Sequence, residues 1–344
     1  MRAALLTGFG GPENLVLRDD VPRPSVAAED VLIEVGACGV NNTDLWTRQG
    51  AYGREDDPNA ISSWQQMQFP RIQGSDIAGR IVEVGTDVSP KRIGERVIVD
   101  PTLYRGGGEG LYEAGFIGSG RDGGFAEFTS VPAVNAHPIE SNLSDAELAT
   151  FPVAYVTGEH MLNRAHLQKG ETILITGASG GVGSGLVQLS RIREARVIAI
   201  AGRGKEDAVR QIGAEIVVTR QVDDLYQAVI EAIGQRPVDV IADVVGGENF
   251  PTLIRLLRTG GRIVTAGAIA GPVIQLDLRT IYLNHIELIG STLGTNKEFR
   301  DLVGYIETGR LIPLLARTYS LENIDQAQKD FERKDFVGKL VITP

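Results

Sequence analysis

One segment limits what this chain can fold into more than any other: Thr176-Gly177-Ala178-Ser179-Gly180-Gly181-Val182-Gly183. It follows the apolar run Thr172-Ile173-Leu174-Ile175 and leads into a helical pattern near 181–193. A glycine pattern is informative only in this strand-to-helix setting. The first turn of a helix has free N–H groups and a positive dipole end, and an anion reaches them only where side chains are missing. Gly180 and Gly183 fit the second and third glycine roles of a dinucleotide loop, and Ala178 the first. A purely structural turn is the plainer reading. The surroundings favour the pyrophosphate reading, because strand and helix keep alternating. Arg196-Val197-Ile198-Ala199-Ile200 precedes a helix near 205–213, and Val238-Asp239-Val240-Ile241-Ala242 precedes one near 249–258. Arg262-Ile263-Val264-Thr265-Ala266 follows. Such alternation implies an α/β fold with a doubly wound, buried parallel sheet over residues 134–277. Ala178, Ser179, Gly180, Gly181, Val182 and Gly183 are therefore the expected phosphate contacts.

The second strand says which dinucleotide is expected. A site for NAD places an acid about 20 residues beyond the loop, on the ribose hydroxyls. Here the strand ends in Ile200-Ala201-Gly202-Arg203-Gly204-Lys205, with no acid before Glu206. An acid would repel a 2′-phosphate, whereas Arg203 and Lys205, beside Gly202, would pair with it. Two solvated surface cations are the alternative. The reading favours NADP(H).

The flanks differ. Residues 1–133 carry short β-type runs such as Val31-Leu32-Ile33-Glu34-Val35 and Arg96-Val97-Ile98-Val99, broken by many of the 42 glycines and 15 prolines. Residues 278–344 hold the strand-like Ile286-Glu287-Leu288-Ile289-Gly290, a helical stretch near 296–309 and a terminal Gly338-Lys339-Leu340-Val341-Ile342. Ile286–Leu293 reads as an edge strand, of the kind that pairs with a second subunit in a homodimer or homotetramer. A net charge of −10 disfavours nucleic acid and anionic membranes. The single cysteine, Cys38, permits no intrachain disulfide. Met1 runs straight into Ala3-Ala4-Leu5-Leu6 without the regions of a signal peptide, and no apolar run is long enough for a membrane helix, so a cytoplasmic location is expected.

Five pieces in order resemble the medium-chain dehydrogenase/reductase superfamily. They are Val31 to Asn41, Pro70 to Gly79, Asp122-Gly123-Gly124-Phe125-Ala126-Glu127-Phe128, Gly177 to Gly183, and Gly338-Lys339-Leu340-Val341. The resemblance covers nearly the whole chain. It implies a GroES-like β-rich catalytic domain built from 1–133 and 278–344 and a Rossmann domain over 134–277. It also brings Ala266, Gly267 and Lys339 to the cofactor.

The zinc enzymes of that family bind their catalytic metal through cysteine, histidine and a third cysteine or acid, with one position open. This chain has Asn41, in Val40-Asn41-Asn42-Thr43-Asp44, at the best match to the first ligand; Asn42 is the other candidate. Ser75, in Gly74-Ser75-Asp76, replaces histidine, and Val153 matches the third ligand. The region 104–120 has glycines where a structural zinc needs four cysteines. No metal is expected. The same stretch is similar to the zinc-free quinone oxidoreductases and zeta-crystallin. That likeness makes Asn41 a nicotinamide and substrate contact, Tyr52 a pocket residue and Thr157, in Tyr155-Val156-Thr157-Gly158, a nicotinamide contact. Each has a plain alternative: a helix cap at Asn41, packing at Tyr52, and back-bonding in its own helix at Thr157.

These residues set the expected chemistry. Without a metal an alcohol or ketone receives little help in carrying alkoxide charge, whereas a quinone or an α,β-unsaturated carbonyl delocalises it. Hydrogen bonds from Asn41, Thr43 or Tyr52 would polarise the acceptor oxygen, and Tyr52 or water would deliver the proton. An alcohol dehydrogenase of the same superfamily, an acyl-thioester enoyl reductase and a non-catalytic NADPH-binding protein are the rivals. An insertion around 54–69, with Trp64, and a loop at 103–121 depart from the quinone oxidoreductases and are expected to border the active site or a subunit interface.

Overall fold

A computed structural model describes residues 1–52, 67–104, 111, 114–234 and 236–344. Most of the insertion at 54–69, Trp64 included, and part of the loop at 103–121 lie outside the described residues. The chain forms two compact units: Met1–Val153 with Thr295–Thr308 and Pro313–Pro344, and Ala154–Gly294 with Gly309–Ile312.

The first unit is the GroES-like, β-rich one. Its main sheet runs Ala136–Pro138, Arg96–Val99, Asp76–Val84, Asp30–Gly39, Lys339–Thr343, Leu315–Ser320, and Phe128–Pro132 also pairs with Asp30–Gly39. The run Val31-Leu32-Ile33 is wholly buried, as are Ile77, Val97, Leu340 and Ile342, and each such side chain stabilises the fold by about 1.5–3 kcal/mol relative to exposure. Strand register builds one corner of this sheet. Gly39 lies opposite Asp76 on one side and opposite Val341 on the other. Three distant parts of the sequence thus end together, and the chain turns from Gly39 into the helix Asn42–Gln49 beside them.

The second unit is a Rossmann-type sheet of six parallel strands. Their order is Ile216–Thr219, Arg196–Ala201, Thr172–Ile175, Val238–Asp243, Leu257–Thr265, Glu287–Gly290. The first strand in the chain is central. The winding goes outward on one side, then reverses, so the switch point sits at the C-terminal ends of Thr172–Ile175 and Val238–Asp243, where such sheets bind ligands.

Several boundaries fall elsewhere than the sequence places them. The first unit continues past 133 to Val153, because Ala136–Pro138 pairs with Arg96–Val99. The second extends past 277 to Gly294, because Glu287–Gly290 pairs with Leu257–Thr265. The helix expected over 249–258 is only Phe250–Ile254, and the next strand starts at Leu257 rather than Arg262. The glycine-rich stretch read as loop contains Gly115–Phe116, paired with Thr102–Leu103. No helix among the described residues is long and apolar enough to cross a membrane.

Candidate active site

In the second unit, the phosphate loop is shaped by what lies beneath it. Thr176 Oγ1 donates to Asp243 Oδ1 at 2.6 Å and accepts the Val244 N–H, while Asp243 also accepts the N–H groups of Val245 and Gly246. This lock ties together the ends of the two central strands. The tight turn falls to Gly177, with φ at +58°, not to Ala178, which is buried and donates its N–H to Ile200 O. Gly183 is required by packing: a Cβ there would lie 2.2 Å from Gly177 O. Gly180 is different. It is exposed, with extended backbone at the N-cap of the helix Gly181–Ile192 and no side-chain cap. A Cβ on it would meet only Gly177 O, at an ordinary 3.4 Å. The protein itself does not need glycine at 180. The uncapped helix start and the space above it are what a pyrophosphate needs, and the residues fit a dinucleotide. Ser179, Gly181 and Val182 are half-buried around this opening. The helix is held by Gln188, which donates to Tyr155 Oη at 2.8 Å and accepts the Ile312 N–H, and by the Tyr155 ring packed against Gly185. Thr157 is buried two residues along the same helix, Pro152–Arg164.

Gly202 ends the second strand with Arg203 exposed beside it. From the place a Gly202 Cβ would take, Arg220 Nε, Gln221 Nε2 and Lys205 Cδ each lie 3.9 Å away. Gln221 steadies the turn by accepting the Arg203 N–H at 2.9 Å. Arg220 and Lys205 therefore border the space at Gly202, with Arg203 next in the chain. Arg220 carries no clear signal in the sequence, because Ile216–Thr219, the strand that delivers it, is only four residues long and mostly half-buried. Ala266 and Gly267 follow the strand Leu257–Thr265, half-buried, and a Gly267 Cβ would lie 3.0 Å from Val244 O.

In the first unit, Asn41, Asp76 and Lys339 form a buried polar cluster. Lys339 Nζ lies 2.7 Å from Asp76 Oδ2 and donates to Asn41 Oδ1 at 2.5 Å. Asn41 Nδ2 donates to the same Asp76 Oδ2 at 2.9 Å, and the Val153 N–H donates to Asp76 Oδ1 at 2.6 Å. Lys339 is 3% exposed and Asp76 not at all. The amine expected at the cofactor is thus committed to its neighbours. Asn41 stands at the N-cap of Asn42–Gln49, and its N–H donates to Asp44 Oδ2 at 2.7 Å. Burial pushes the Asp44 carboxyl up to about 7, against the Asn41 N–H and the Lys339 charge, which favour ionisation. Tyr52 packs on Trp46 with ring centroids 5.7 Å apart, and burial, then the Asp44 charge, raise its phenol so that it stays protonated. Thr43 Oγ1 is buried, with no hydrogen-bond partner among the described residues. Arg48, 1% exposed, pins the helix to Gly10 O and Gln328 Oε1. Asp44 was visible within Asn41-Asn42-Thr43-Asp44, an N-cap followed by an acid three residues on, but its burial was not.

This donor set does not fit a catalytic zinc. The Asn41 carboxamide is engaged on both atoms, the Ser75 hydroxyl donates to Ile117 O at 2.7 Å, and Val153 has no side-chain donor. The carboxylate next to Ser75, Asp76, is paired with an ammonium. Among the described residues no group of three His, Cys, Asp or Glu is arranged to hold a metal ion.

The chain matches two family models: Alcohol dehydrogenase GroES-like domain over residues 27–141 and Zinc-binding dehydrogenase over residues 181–308. It is 32% identical to the quinone oxidoreductase of Mus musculus, over 99% of this chain and 97% of that one. It is 28% identical to an NAD-dependent alcohol dehydrogenase of Sulfurisphaera tokodaii over the full length of both. The crystal structure of a candidate alcohol dehydrogenase from Sinorhizobium meliloti 1021 superposes with a TM-score of 0.96 at 55% identity, covering 100% of this chain and 96% of that one.

Proposed function

Since the chain belongs to the medium-chain dehydrogenase/reductase superfamily and is an oxidoreductase of that group, we propose that it passes hydride from NADPH to a quinone or an α,β-unsaturated carbonyl without a metal. The observation that carries the proposal is the Asn41–Asp76–Lys339 cluster: the positions that match zinc ligands hold an amide, a hydroxyl and a valine, and the neighbouring carboxylate is neutralised by a lysine. When bound, a reduced nicotinamide supplies the hydride, and the protein supplies position and polarity.

The second unit binds the cofactor in this reading. The N–H groups at the start of Gly181–Ile192 take the pyrophosphate, with Ala178, Ser179, Gly180, Gly181, Val182 and Gly183 lining it. Arg203, Lys205 and Arg220 around Gly202 take the 2′-phosphate. Ala266, Gly267 and Thr157 contact the nicotinamide half. In the first unit, Asn41 Nδ2 keeps one hydrogen for the acceptor oxygen, and Thr43 Oγ1 is a second donor. Both act where negative charge develops. Tyr52 Oη or a water delivers the proton to the reduced acceptor. A conjugated acceptor suits two or three neutral donors, because its charge is already spread.

Alcohol oxidation is the second reading, favoured by the 55% identity to the Sinorhizobium meliloti protein. The two separate on purified protein given either nicotinamide cofactor with a panel of quinones, enones, aldehydes and alcohols. NADPH oxidation with matching loss of quinone or enone is the expected result. Alcohol-driven reduction of NADP+ or NAD+, with no quinone or enone turnover, contradicts it.

The partner we propose is a second copy of this chain. Glu287–Gly290 is the outer strand of its sheet, and Leu288 is 49% exposed, with Leu278, Tyr282 and Leu283 each above 60%. An open edge beside apolar side chains suits strand pairing across a two-fold axis in a homodimer or homotetramer.

A further inference from the structure

We infer that Lys339 is a positioning residue for the proposed reaction: its ammonium, clamped by Asp76, fixes the Asn41 carboxamide in a single orientation and strengthens it as a donor. A carboxamide is nearly symmetric in shape, so its flip is decided by chemistry rather than sterics. Lysine only donates, and an ionised carboxylate only accepts. Lys339 Nζ on Asn41 Oδ1 at 2.5 Å and Asp76 Oδ2 on Asn41 Nδ2 at 2.9 Å therefore decide the flip from both sides. The clamp itself is held still. Asp76 Oδ1 is taken by the Val153 N–H at 2.6 Å, and Lys339 follows Gly338, whose φ of +86° and contact with Leu314 O leave no room for a Cβ. Asp76 and Lys339 are almost wholly buried, so water does not compete for these bonds.

The consequence falls on the remaining amide hydrogen of Asn41. A positive charge on Oδ1 draws electrons through the amide and makes Nδ2 a stronger donor, as hydrogen-bond chains do in low dielectric. Asn41 keeps 7% of its surface accessible, against 3% for Lys339 and none for Asp76, so Asn41 is the residue of the cluster most open to solvent. Lys339 touches no reacting atom in this scheme; it works through Asn41.

The inference rests on the proposed function for its kinetic arm alone. The test uses the full chain with Lys339→Met, Lys339→Arg and the double variant Lys339→Met/Asp76→Asn, which removes the ammonium and its paired carboxylate together if the single lysine variant fails to fold. Melting temperature, NADPH affinity by fluorescence, kcat and KM are measured, together with exchange of the Asn41 side-chain amide protons by NMR. The double variant is expected to fold, and to keep NADPH affinity and acceptor KM within about threefold while kcat falls on the order of 30-fold, less than loss of a direct oxyanion donor can cost. Adding Asn41→Ala to it should lower kcat no further than Asn41→Ala alone, and Lys339→Arg should restore part of the rate. Asn41 amide exchange should quicken about tenfold or more as the hydrogen bonds are lost. An unchanged kcat, a loss that multiplies with that of Asn41→Ala, or weaker NADPH binding at full kcat overturns the inference; the last would put Lys339 on a cofactor phosphate. If the wild-type protein reduces none of the acceptors, the functional reading fails, and the Asn41 exchange comparison alone decides: unchanged exchange rejects the clamp.

Discussion

Burial outweighs ionisation at Asp44. Its carboxyl rises to about 7 although the Asn41 N–H and Lys339 favour the charged form. In an unfolded chain an aspartate titrates near ~4, so the folded protein binds this proton more tightly. The stability contribution is complete below pH ~4 and is lost as pH rises toward 7. Asp44→Asn mimics the protonated group. It should match the wild type at pH 4 and exceed it by on the order of a few kcal/mol at pH 8. Urea unfolding of both proteins at pH 4, 6 and 8 checks this, and a pH-independent difference refutes it. The two loop glycines give a second contrast. A Cβ on Gly183 would sit 2.2 Å from Gly177 O, so Gly183→Ala should destabilise by about 3 kcal/mol or more. Gly180→Ala meets nothing closer than 3.4 Å and should leave the melting temperature unmoved while weakening NADPH binding about tenfold, roughly 1.4 kcal/mol. Equal effects on both properties would mean that the opening at Gly180 is not the phosphate seat. At this scale the loop was legible because its glycines are adjacent in sequence. The clamp on Asn41 was not: Asn41 and Lys339 lie 298 residues apart, and only the register of three strands brings them together.

Elements were legible where they are long and periodic. The strands Arg196–Ala201 and Val238–Asp243 and the helix Gly181–Ile192 match the apolar runs that announced them. Ile216–Thr219 did not stand out, being four residues with only Val218 buried. The cost was Arg220, which that strand presents to Gly202. Removing it with Arg220→Ala should raise KM for NADPH about tenfold, the scale of one charge-assisted bond, and leave KM for NADH unchanged. An equal rise for both cofactors would place Arg220 away from a 2′-phosphate. The helix Phe250–Ile254 is shorter than its sequence suggests because Leu256 and Leu257 continue its apolar pattern into the next strand. The outer strand Glu287–Gly290 was foreseen as an edge, and its proposed pairing is testable. Leu288→Lys places a charge on the open face, a device that blocks edge pairing. Light scattering should show a smaller assembly than the wild type, with the same circular dichroism; an unchanged mass would move the interface elsewhere.

The whole molecule is one chain that leaves its β-rich unit near Val153, completes a parallel sheet, and returns through Thr295–Thr308 to finish the first unit with Lys339–Thr343. That path explains why the terminal strand is chemically important: only a returning segment can bring Lys339 to Asp76. The two-part architecture was legible because residue patterning changes along the chain. Its boundaries fall 17 to 20 residues further along, because Ala136–Pro138 pairs back onto the first sheet and the edge strand Glu287–Gly290, legible as such, completes the parallel sheet beyond residue 277. The central claim is hydride transfer to a conjugated acceptor with a lysine–carboxylate pair where the zinc enzymes hold a metal. Its most direct test is one preparation, dialysed against a strong chelator, assayed for metal content and for NADPH-dependent reduction of quinones and enones. Full activity with no stoichiometric metal is the expected outcome. Activity that disappears with the chelator and returns on adding zinc would contradict it.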